Sequence, residues 1–337
     1  MPARLPDYFT TYLPAIDAEM RRVVCPPSDA ALDDFYGMLR YHLGWVDADF
    51  APARSDSGKR LRPALALLTC EAAGGDWESA LPAAAAIELL HNFSLIHDDI
   101  EDGDTTRRGR ATLWTIWGKP QAINAGDALF TLAHIALGGM VSRNVPPTRR
   151  LAVRERFDHA CLALTQGQHL DLSFESRPRI SEAEYLRMIG GKTAALVAGA
   201  CAIGAIVAGS EVVADYENFG REVGFAFQIQ DDLLGIWGDP EVTGKPAGND
   251  IRHRKKSLPI AYGLDRSATL RELYAAETID VAAVSAELDG GGARDYAEAL
   301  ASQHHQRALH ALHAAGRDNA ATDALRELAN SLLNRTA

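Results

Sequence analysis

Hydrophobic residues recur along most of the chain at the three- and four-residue spacing of α-helices. From Leu32 to Val46, large apolar side chains repeat at this spacing, which predicts an amphipathic helix. An apolar run from Ser79 to Asp99, with Pro82 in its first turn, predicts a long helix. Further helices are predicted at about 61–73, 121–141, 149–174, 181–189, 192–209, 213–236, 257–264, 293–313 and 318–334. Alternating patterns long enough for strands are absent, so the predicted fold class is all-α.

Turn-forming residues separate these predicted helices without marking a domain boundary. Glycine pairs at 74–75 and 190–191 and a proline pair at 146–147 fall between them. No low-complexity linker divides the chain. We therefore expect a single domain over residues 1–337, with a C-terminal helical subregion at about 265–337.

The longest uncharged stretch, residues 193–210, meets the minimum length of a membrane span. It is rich in alanine and glycine and lacks interfacial aromatic anchors, so a helix buried on all sides in a protein core is the preferred interpretation. No secretory signal is visible at the N-terminus. The four cysteines lie far apart, which indicates neither a disulfide framework nor a zinc site. These features predict a cytoplasmic protein with no membrane span.

The charge balance disfavours one class of partner. The 337 residues include 45 acidic and 34 basic side chains, for a net charge of -11. Nucleic-acid binding depends on Lys and Arg that neutralise phosphates, so no nucleic-acid partner is expected. A hydrophobic content of 47% and a charged content of 23% are typical of a globular protein. The surplus of carboxylates fits an acidic enzyme or a protein that concentrates divalent cations.

Two clusters of aspartate lie at the ends of predicted apolar helices. The first comprises Asp98, Asp99 and Asp102, and the second comprises Asp231 and Asp232. Positions i and i+4 differ by about 40° around a helix, so Asp98 and Asp102 project from one face about 6 Å apart along the axis. The helix dipole opposes carboxylates at this end, which makes simple solvated helix ends the less favoured interpretation. Oxygen ligands without Cys or His suit Mg²⁺ shared with phosphates.

Basic side chains accompany both clusters. Arg107 and Arg108 follow the first cluster, Lys245 follows the second, and Lys59 and Arg62 lie in the earlier segment GKRLRP. Each of them alone would be interpreted as a solvated surface charge. Together with the aspartates they indicate a ligand whose phosphate groups are bridged by metal.

The segments that carry these residues resemble, in order, the motifs of all-trans isoprenyl diphosphate synthases. The segments are GKRLRP at 58–63, LIHDDIEDGDTTRRG at 95–109, AGDALF at 125–130, GQHLDL at 167–172, GKTAAL at 191–196, FQIQDDLLGIWGDPEVTGKPAGND at 227–250 and KKSLP at 255–259. A single motif would be moderately specific, whereas the ordered set is strongly specific. The motif-bearing core covers residues 58–260 or so.

The resemblance implies the isoprenoid-synthase fold, in which antiparallel helices surround a deep apolar cavity and the two aspartate-rich helix ends face each other at its mouth. Members of this family condense isopentenyl diphosphate with an allylic diphosphate (dimethylallyl, geranyl or farnesyl), usually as homodimers that use three Mg²⁺ ions. By position, Asp98, Asp99 and Asp102 are implied to bind two of the ions. Asp231 and Asp232 are implied to bind the third.

The same resemblance implies two diphosphate sites. The residues that match the isopentenyl diphosphate site are Lys59, Arg62, His91 and Arg108. Those that match the allylic diphosphate side are Arg107, Lys192, Thr193, Gln228 and Lys245, with Lys256 nearby. The groups expected to be catalytic are Asp98, Asp99, Asp102, Arg107, Lys192, Asp231 and Lys245. Metal ions and cationic side chains stabilise the charge on a departing diphosphate, and an apolar cavity shields the allylic carbocation from water.

One position departs from the family pattern. The second motif usually reads DDxxD, but here it reads DDLLG, with Gly235 in place of the last aspartate. Asp239 lies a further turn along and is not assumed to replace it. We expect this loss to weaken binding of the third ion or to change the outcome of the reaction.

Phe93 and Ser94 precede the first aspartate cluster by five and four residues. With a rise of 1.5 Å per residue, Phe93 lies about 7 Å deeper along the helix than Asp98, where the growing chain of the family's product descends. This arrangement resembles geranylgeranyl diphosphate synthases more than farnesyl diphosphate synthases. The expected product is geranylgeranyl diphosphate, with farnesyl diphosphate as the alternative. Ordinary core packing is the other interpretation of Phe93.

Two other function classes stay open at this point. A terpene cyclase that ionises an allylic diphosphate is supported only by Gly235 and has no need of the isopentenyl diphosphate site. A non-catalytic subunit of a heteromeric synthase is disfavoured because both aspartate pairs keep their basic partners. Four histidines at 304, 305, 310 and 313 are interpreted as a solvated face of the C-terminal region, since no acidic residue accompanies them in the sequence.

Overall fold

The computed structural model describes residues 4–55, 58–239 and 247–333. The chain forms two compact units, one comprising Met1–Phe157 and Ile203–Ser210 and the other Asp158–Ala202 and Glu211–Ala337. The first fifteen elements are helical apart from one short hairpin. In chain order they are α1 (Leu5–Val23), α2 (Asp33–His42), α3 (Leu61–Ala72), α4 (Trp77–Glu101), β1 (Thr106–Arg107), β2 (Arg110–Ala111), α5 (Leu113–Leu137), α6 (Pro147–Glu175), α7 (Glu182–Ile189), α8 (Ala195–Ala208), α9 (Val213–Trp237), α10 (Asn249–Arg252), α11 (Leu258–Arg266), α12 (Ala268–Ala275) and α13 (Val281–Gly290).

Two further helices complete the described chain, α14 (Ala293–Ala314) and α15 (Ala320–Leu333). Short 3₁₀ turns precede α2 and follow α5, and a π-helical segment, Gly190–Ala194, joins α7 to α8. The described residues therefore form helices almost throughout, which confirms the predicted all-α class.

Helix α4 runs through the first unit and packs against α1, α3 and α5. The alanines at 83–86 are fully buried, and their small side chains let neighbouring helices approach closely. The helix begins at Trp77, two residues before the predicted start, because Asp76 is its N-cap and accepts a 3.0 Å hydrogen bond from the Glu78 N–H. Pro82 consequently lies inside the helix, beyond its first turn.

Helix α5 begins earlier than the sequence predicted. It starts at Leu113, and it bends at Gly118, whose φ of 81° lies in the left-handed region that glycine adopts without strain. Pro120 follows this bend directly. The apolar periodicity beyond Pro120 predicted only the second part of the helix.

The second unit is organised around α9, which packs against α14 along its length. Gly220 and Gly224 let α9 approach the segment before it, since an added methyl group at either position would overlap Val197 or Ala194. The core between α7, α9 and α11 contains Tyr185, Ile189, Ile229, Leu233 and Leu258. This packing holds the last turns of α9, where the second aspartate cluster lies, next to the N-terminal end of α11.

Two helical stretches, Trp77–Glu101 and Glu182–Ala208, are long and apolar enough to cross a membrane by length and composition. Within their most apolar windows, 78% and 72% of the residues are buried inside the protein. Core helices of soluble proteins share these properties. The burial fits the interpretation of the uncharged stretch as a core helix.

Candidate active site

The first aspartate cluster occupies the end of α4. The helix continues through Glu101, and Asp102 is its C-cap, with its N–H bonded to the Asp98 carbonyl oxygen at 2.8 Å. Asp98 is half-buried and Asp102 is exposed. Asp99, by contrast, is only 2% exposed and accepts a 2.5 Å hydrogen bond from Arg107 Nε. Burial raises the pKa of Asp99 to about 6, while Arg107 acts in the opposite direction.

A two-residue hairpin directly after α4 presents the predicted arginines. Strands β1 and β2 pair antiparallel, and Arg108 and Gly109 form their turn with φ of 52° and 73°. Arg110 anchors the hairpin, because its guanidinium donates to the Tyr41 carbonyl oxygen at 2.9 Å and to the Val46 carbonyl oxygen at 2.8 Å. No strand was predicted here, since a strand of two residues has no periodicity to detect.

The predicted isopentenyl diphosphate residues come together in the first unit. Arg62 Nη1 lies 3.3 Å from His91 Nε2. An added side chain at Gly58 would overlap the Arg108 guanidinium, so this glycine leaves room for Arg108 beside the GKRLRP segment. Burial, followed by Arg62 and Arg108, lowers the pKa of His91 well below its usual value. Lys59 is exposed and follows Gly58 in the chain.

Two titratable residues that the sequence analysis missed lie among these arginines. Glu88 is 2% exposed, and its backbone carbonyl and side chain both accept from Asn92 Nδ2, at 2.8 Å and 3.2 Å. Burial raises its pKa, and the nearby guanidinium of Arg60 is the largest opposing influence. His42 lines a small cleft with Asp99 and the hairpin arginines, where burial and Arg108 lower its pKa to about 3. Glu88 could have been suspected as the one acid inside an apolar run.

The second aspartate cluster lies at the end of α9, in the second unit. Asp232 is 6% exposed, and its Oδ2 accepts from Tyr185 OH at 2.5 Å and from the Leu258 N–H at 2.8 Å. Gln228 Nε2 donates to its other oxygen at 3.0 Å. Burial raises the pKa of Asp232 to about 7, and the Asp250 carboxylate acts in the same direction. Asp231 is half-exposed.

A π-helical segment brings three of the predicted allylic-side residues together. Thr193 Oγ1 donates to Gln228 Oε1 at 2.7 Å, which extends the hydrogen-bond chain that ends at Asp232. Lys192 Nζ lies 2.6 Å from Asp171 Oδ2, a carboxylate of the GQHLDL segment that sequence reasoning had not singled out. The segment fits because Gly167 has no side chain: a methyl group there would overlap the Lys192 backbone. The predicted Lys245 lies outside the described residues.

The space beside Gly235 is already filled. A side chain added at Gly235 would overlap the carboxylate of Asp250, which follows on α10. The position of the missing third aspartate is therefore adjacent to another carboxylate. Asp239, just beyond the end of α9, is exposed.

Lys256 lies apart from the Asp232 hydrogen bonds. Its side chain is largely buried, and Nζ donates to the Arg254 carbonyl oxygen at 3.3 Å and lies 5.3 Å from the centre of the Tyr274 ring. Burial and Arg254 lower its pKa. The structure thus places Lys256 in a neighbouring cavity lined by arginines.

The two predicted chain-length residues differ in their surroundings. The Phe93 ring is half-buried and contacts Phe130 of α5, with ring centres 5.1 Å apart. Phe130 in turn contacts His134, which packs edge-on against Phe157. Ser94 is buried, and its hydroxyl donates to the His91 carbonyl oxygen at 2.8 Å. Phe130 is a second aromatic beneath the cluster that the sequence analysis did not identify.

The donor chemistry of the two clusters fits a hard divalent cation, because every acidic side chain in them is an oxygen ligand. Among the described residues, no three His, Cys, Asp or Glu side chains already converge in the geometry of a metal site.

Comparison with known sequences places these features in a wider context. Residues 46–289 match the family described as polyprenyl synthetase. A geranylgeranyl diphosphate synthase of Mycobacterium tuberculosis is 45% identical over 289 residues, which cover 82% of this chain and 80% of that protein. A (2E,6E)-farnesyl diphosphate synthase of the same species is 40% identical over 313 residues, which cover 89% of this chain and 86% of that protein.

Solved structures show the same similarity. A polyprenyl synthetase from Streptomyces coelicolor A3(2) is 38% identical with a TM-score of 0.86, and the match covers 96% of this chain and 97% of that one. A polyprenyl synthase from Caulobacter crescentus, complexed with calcium and isoprenyl diphosphate, is 29% identical with a TM-score of 0.80. That match covers 100% of this chain and 99% of the other.

Proposed function

The chain belongs to the polyprenyl synthetase family and is a trans-prenyltransferase with the isoprenoid-synthase fold, and we propose that it condenses isopentenyl diphosphate with allylic diphosphates to form geranylgeranyl diphosphate. The family uses metal ions to bind diphosphates. The observation that carries the proposal is the cluster of Arg62, His91 and Arg108 in the first unit. A cyclase that ionises a single allylic diphosphate has no use for this second diphosphate site.

In this proposal the exposed and half-exposed aspartates hold the metal. Asp98, Asp102 and Asp231 bind three Mg²⁺ ions, which supply the positive charge that stabilises the diphosphate leaving group. Asp99 and Asp232, which the family pattern also assigns to metal, are buried and bonded to protein donors. We assign them to positioning: Asp99 holds Arg107, and Asp232 fixes Gln228 and the start of α11.

The cationic side chains bind the two diphosphates. Arg107 and Lys192 contact the allylic diphosphate, together with Thr193, Gln228 and Lys245. Asp171 orients Lys192 through its 2.6 Å ion pair, so the ammonium group is already placed before the ligand binds. Lys59, Arg62, His91 and Arg108 bind isopentenyl diphosphate. The pKa of His91 is held low by burial and by arginines, so the neutral imidazole accepts or donates hydrogen bonds without adding charge.

The proposed product length rests on the aromatic pair of Phe93 and Phe130. Their contact closes the space about one and a half helical turns below Asp98. The two relatives named above bear different product names, so similarity alone leaves the length open between geranylgeranyl and farnesyl diphosphate. The aromatic pair sets an upper limit on product length, and the small side chain of Ser94, one residue nearer to Asp98, is the feature of this chain that favours geranylgeranyl over farnesyl diphosphate.

The assignment of the two diphosphate sites is tested by steady-state kinetics. Arg108→Ala is expected to raise the KM for isopentenyl diphosphate by more than tenfold and to change the KM for the allylic substrate little. Lys192→Ala is expected to show the opposite pattern, with a lower kcat. Arg221→Ala, which removes an exposed partner of Glu217 on α9, is the matched control. Equal effects of both variants on both KM values would contradict the assignment.

We further propose a cytoplasmic homodimer of single-domain chains that binds neither nucleic acid nor membrane. The first unit exposes several large apolar side chains suited to a subunit interface, among them Ile135 at 60% and Leu151 at 70%. Isolated apolar residues on a monomer surface are common, so sedimentation analysis of the purified protein is the deciding measurement.

A further inference from the structure

Five of the ten residues that line a cavity of about 650 Å³ in the second unit are cationic. Its volume falls within the range of small-molecule sites, about 300–1,000 Å³. The cations come from the segment after α6, the segment before α11, and α12. They are Arg177, Arg179, Arg254, Lys256 and Arg271, and the cavity has one acidic lining residue, Glu175. In a chain with a net charge of -11, such a concentration of positive charge calls for a physical explanation.

Two of these arginines hold helix ends, but this does not neutralise their charge. Arg254 Nη2 donates to the Ala276 carbonyl oxygen at 2.5 Å, at the end of α12. Arg271 Nη1 donates to the Leu264 carbonyl oxygen at 2.7 Å, near the end of α11. A carbonyl at a helix end carries only a partial negative charge, so it fixes the direction of a guanidinium without fully compensating its charge. Among the described residues, no carboxylate forms an ion pair with Arg179, Arg254 or Arg271.

The charges around the cavity do not cancel. Arg177 is paired with Glu184 at 2.7 Å, and Glu175 is a second carboxylate at the wall. Each helix end contributes a partial charge of about -0.5, so two ends add about -1. Against five cations, these terms leave an excess of about two positive charges. An excess of this size matches the charge of a phosphate or diphosphate group.

The cavity also lies next to the second aspartate cluster along the chain. Lys256 comes two residues before Leu258, whose N–H binds Asp232 at 2.8 Å. Glu175 lies one helical turn after Asp171, the partner of Lys192. The cavity residues are therefore neighbours, along the chain, of residues that we assign to the allylic diphosphate.

We propose that this cavity, named here the Arg179 cavity, is an accessory binding site for a diphosphate group. The group belongs either to inorganic diphosphate or to the head of a prenyl diphosphate, since both present the same oxygens to the arginine forks. Tyr274 and Pro178 in the wall offer apolar surface beside the cations. The choice of a diphosphate as the anion rests on the proposed function, whereas the excess of positive charge does not.

Isothermal titration of the full-length protein in EDTA tests this inference without metal and without turnover. The probes are inorganic diphosphate and farnesyl thiolodiphosphate, a prenyl diphosphate analogue that resists ionisation. For wild type we expect two classes of site: binding at the cluster of Arg62, His91 and Arg108, which Arg179→Glu leaves unchanged, and a second event that Arg179→Glu weakens at least tenfold and Arg179→Lys retains. Arg221→Glu, a charge reversal elsewhere in the same unit, is expected to leave it unchanged. Arg179→Gln replaces Arg179→Glu if the charge reversal impairs folding.

The outcomes are separable from those of the proposed function. Superimposable isotherms for wild type and Arg179→Glu would overturn the accessory site, as would equal weakening by Arg221→Glu. Tighter binding of the thiolodiphosphate identifies the head of a prenyl diphosphate as the ligand, and equal binding identifies inorganic diphosphate. Prenyl transfer by wild type is measured separately, and its failure would count against the proposed function and not against the cavity.

Discussion

Burial divides the aspartates of the two clusters into different kinds of residue. Asp99 and Asp232 are 2% and 6% exposed and accept hydrogen bonds from protein groups, whereas Asp98 and Asp231 are half-exposed. An exposed carboxylate can exchange water for a cation at little cost. Burial raises the pKa of a carboxylate unless protein donors stabilise its charge. We therefore propose that the neighbouring aspartates of each motif differ in role, the more exposed one binding metal and the buried one positioning protein groups.

Gly235 is a position where adding the family's expected side chain should harm the protein. The Gly235→Asp side chain would overlap the Asp250 carboxylate and place two like charges together. We expect a loss of about 1–3 kcal/mol in the free energy of unfolding, measured by urea denaturation, and weaker Mg²⁺ dependence of turnover.

The paired exchange Gly235→Asp with Asp250→Gly is the control, because it restores the space and the number of carboxylates. It is expected to recover most of the lost stability. A single Gly235→Asp variant as stable as wild type, with unchanged Mg²⁺ dependence, would show that Asp250 does not occupy this space.

His42 should make the metal-free protein more sensitive to acid. Its folded-state pKa of about 3 lies below the ordinary value of 6.5, so between these values the unfolded chain binds a proton that the folded chain does not. The stability from this group is complete above pH 6.5 and is lost as the pH falls toward 3. We expect the free energy of unfolding of His42→Gln to fall less than that of wild type between pH 7 and pH 5, by about 1–2 kcal/mol.

Urea denaturation in EDTA at both pH values measures this difference. His313→Gln, which removes an exposed histidine of α14, is the control and should follow the wild-type dependence. Identical pH dependence of wild type and His42→Gln would refute a buried neutral His42.

Phe93 is expected to limit product length. Phe93→Ala removes the ring that contacts Phe130, so the space beneath Asp98 deepens and longer prenyl diphosphates should form, as measured by chromatography of the dephosphorylated products. Phe130→Ala is expected to shift the distribution in the same direction. Phe174→Ala, which truncates a buried ring in the second unit, should leave product length unchanged. An unaltered distribution of product lengths in Phe93→Ala would show that Phe93 is an ordinary core residue that does not limit product length.

The sequence indicated those proposed site residues that stand in ordered motifs, such as Asp98, Arg108 and Lys192. It missed Glu88, His42, Asp171 and Asp250, because each acquires its surroundings only through contacts with distant segments.

The histidines of α14 show the opposite error. His304 and His305 are 6% and 8% exposed, and His304 Nδ1 lies 2.7 Å from Glu222 Oε2. The expected solvated face is therefore wrong at these two positions, because α14 packs against α9.

At the scale of elements, the π-helical segment is the feature on which the placement of Lys192 depends. The segment packs against α6 through Gly167, where a methyl group would overlap backbone atoms that cannot move aside. We expect Gly167→Ala to destabilise the protein by about 1–3 kcal/mol and to lower kcat/KM by at least tenfold through displacement of Lys192.

Thermal unfolding and kinetics check this prediction. Gly138→Ala serves as the control, since nothing lies within 4 Å of the added methyl group and the residue has helical backbone angles. The control is expected to be neutral or slightly stabilising. Wild-type kinetics in Gly167→Ala would show that the π-helical geometry is not needed to place Lys192.

Long apolar helices such as α4, α6 and α9 were predicted within a few residues, because burial imposes the periodicity that the sequence displays. The π-helical segment could not be predicted in this way. Glycines at 190–191 indicated a break between helices, but the chain continues through them because close packing at Gly167 compensates for their flexibility. The start of α5 was not predicted because the bend at Gly118 interrupts the helix before Pro120.

At the scale of the whole molecule, the chain passes between the two compact units more than once, since residues 203–210 belong to the first unit and residues 211–337 to the second. The expectation of a single domain remains a prediction. Net charge alone disfavoured nucleic acid, but the distribution of charge carries the functional information. The acidic surplus includes the carboxylates at the ends of α4 and α9, and the arginines collect at the hairpin and in the Arg179 cavity.

The most direct measurement is an incubation of the purified protein with Mg²⁺, labelled isopentenyl diphosphate and each allylic diphosphate in turn. The proposed function predicts label in all-trans prenyl diphosphates, mainly of geranylgeranyl length, and loss of the reaction when EDTA removes the metal. A hydrocarbon or alcohol formed from the allylic diphosphate without incorporation of label would contradict it. So would the absence of turnover until a partner protein is added.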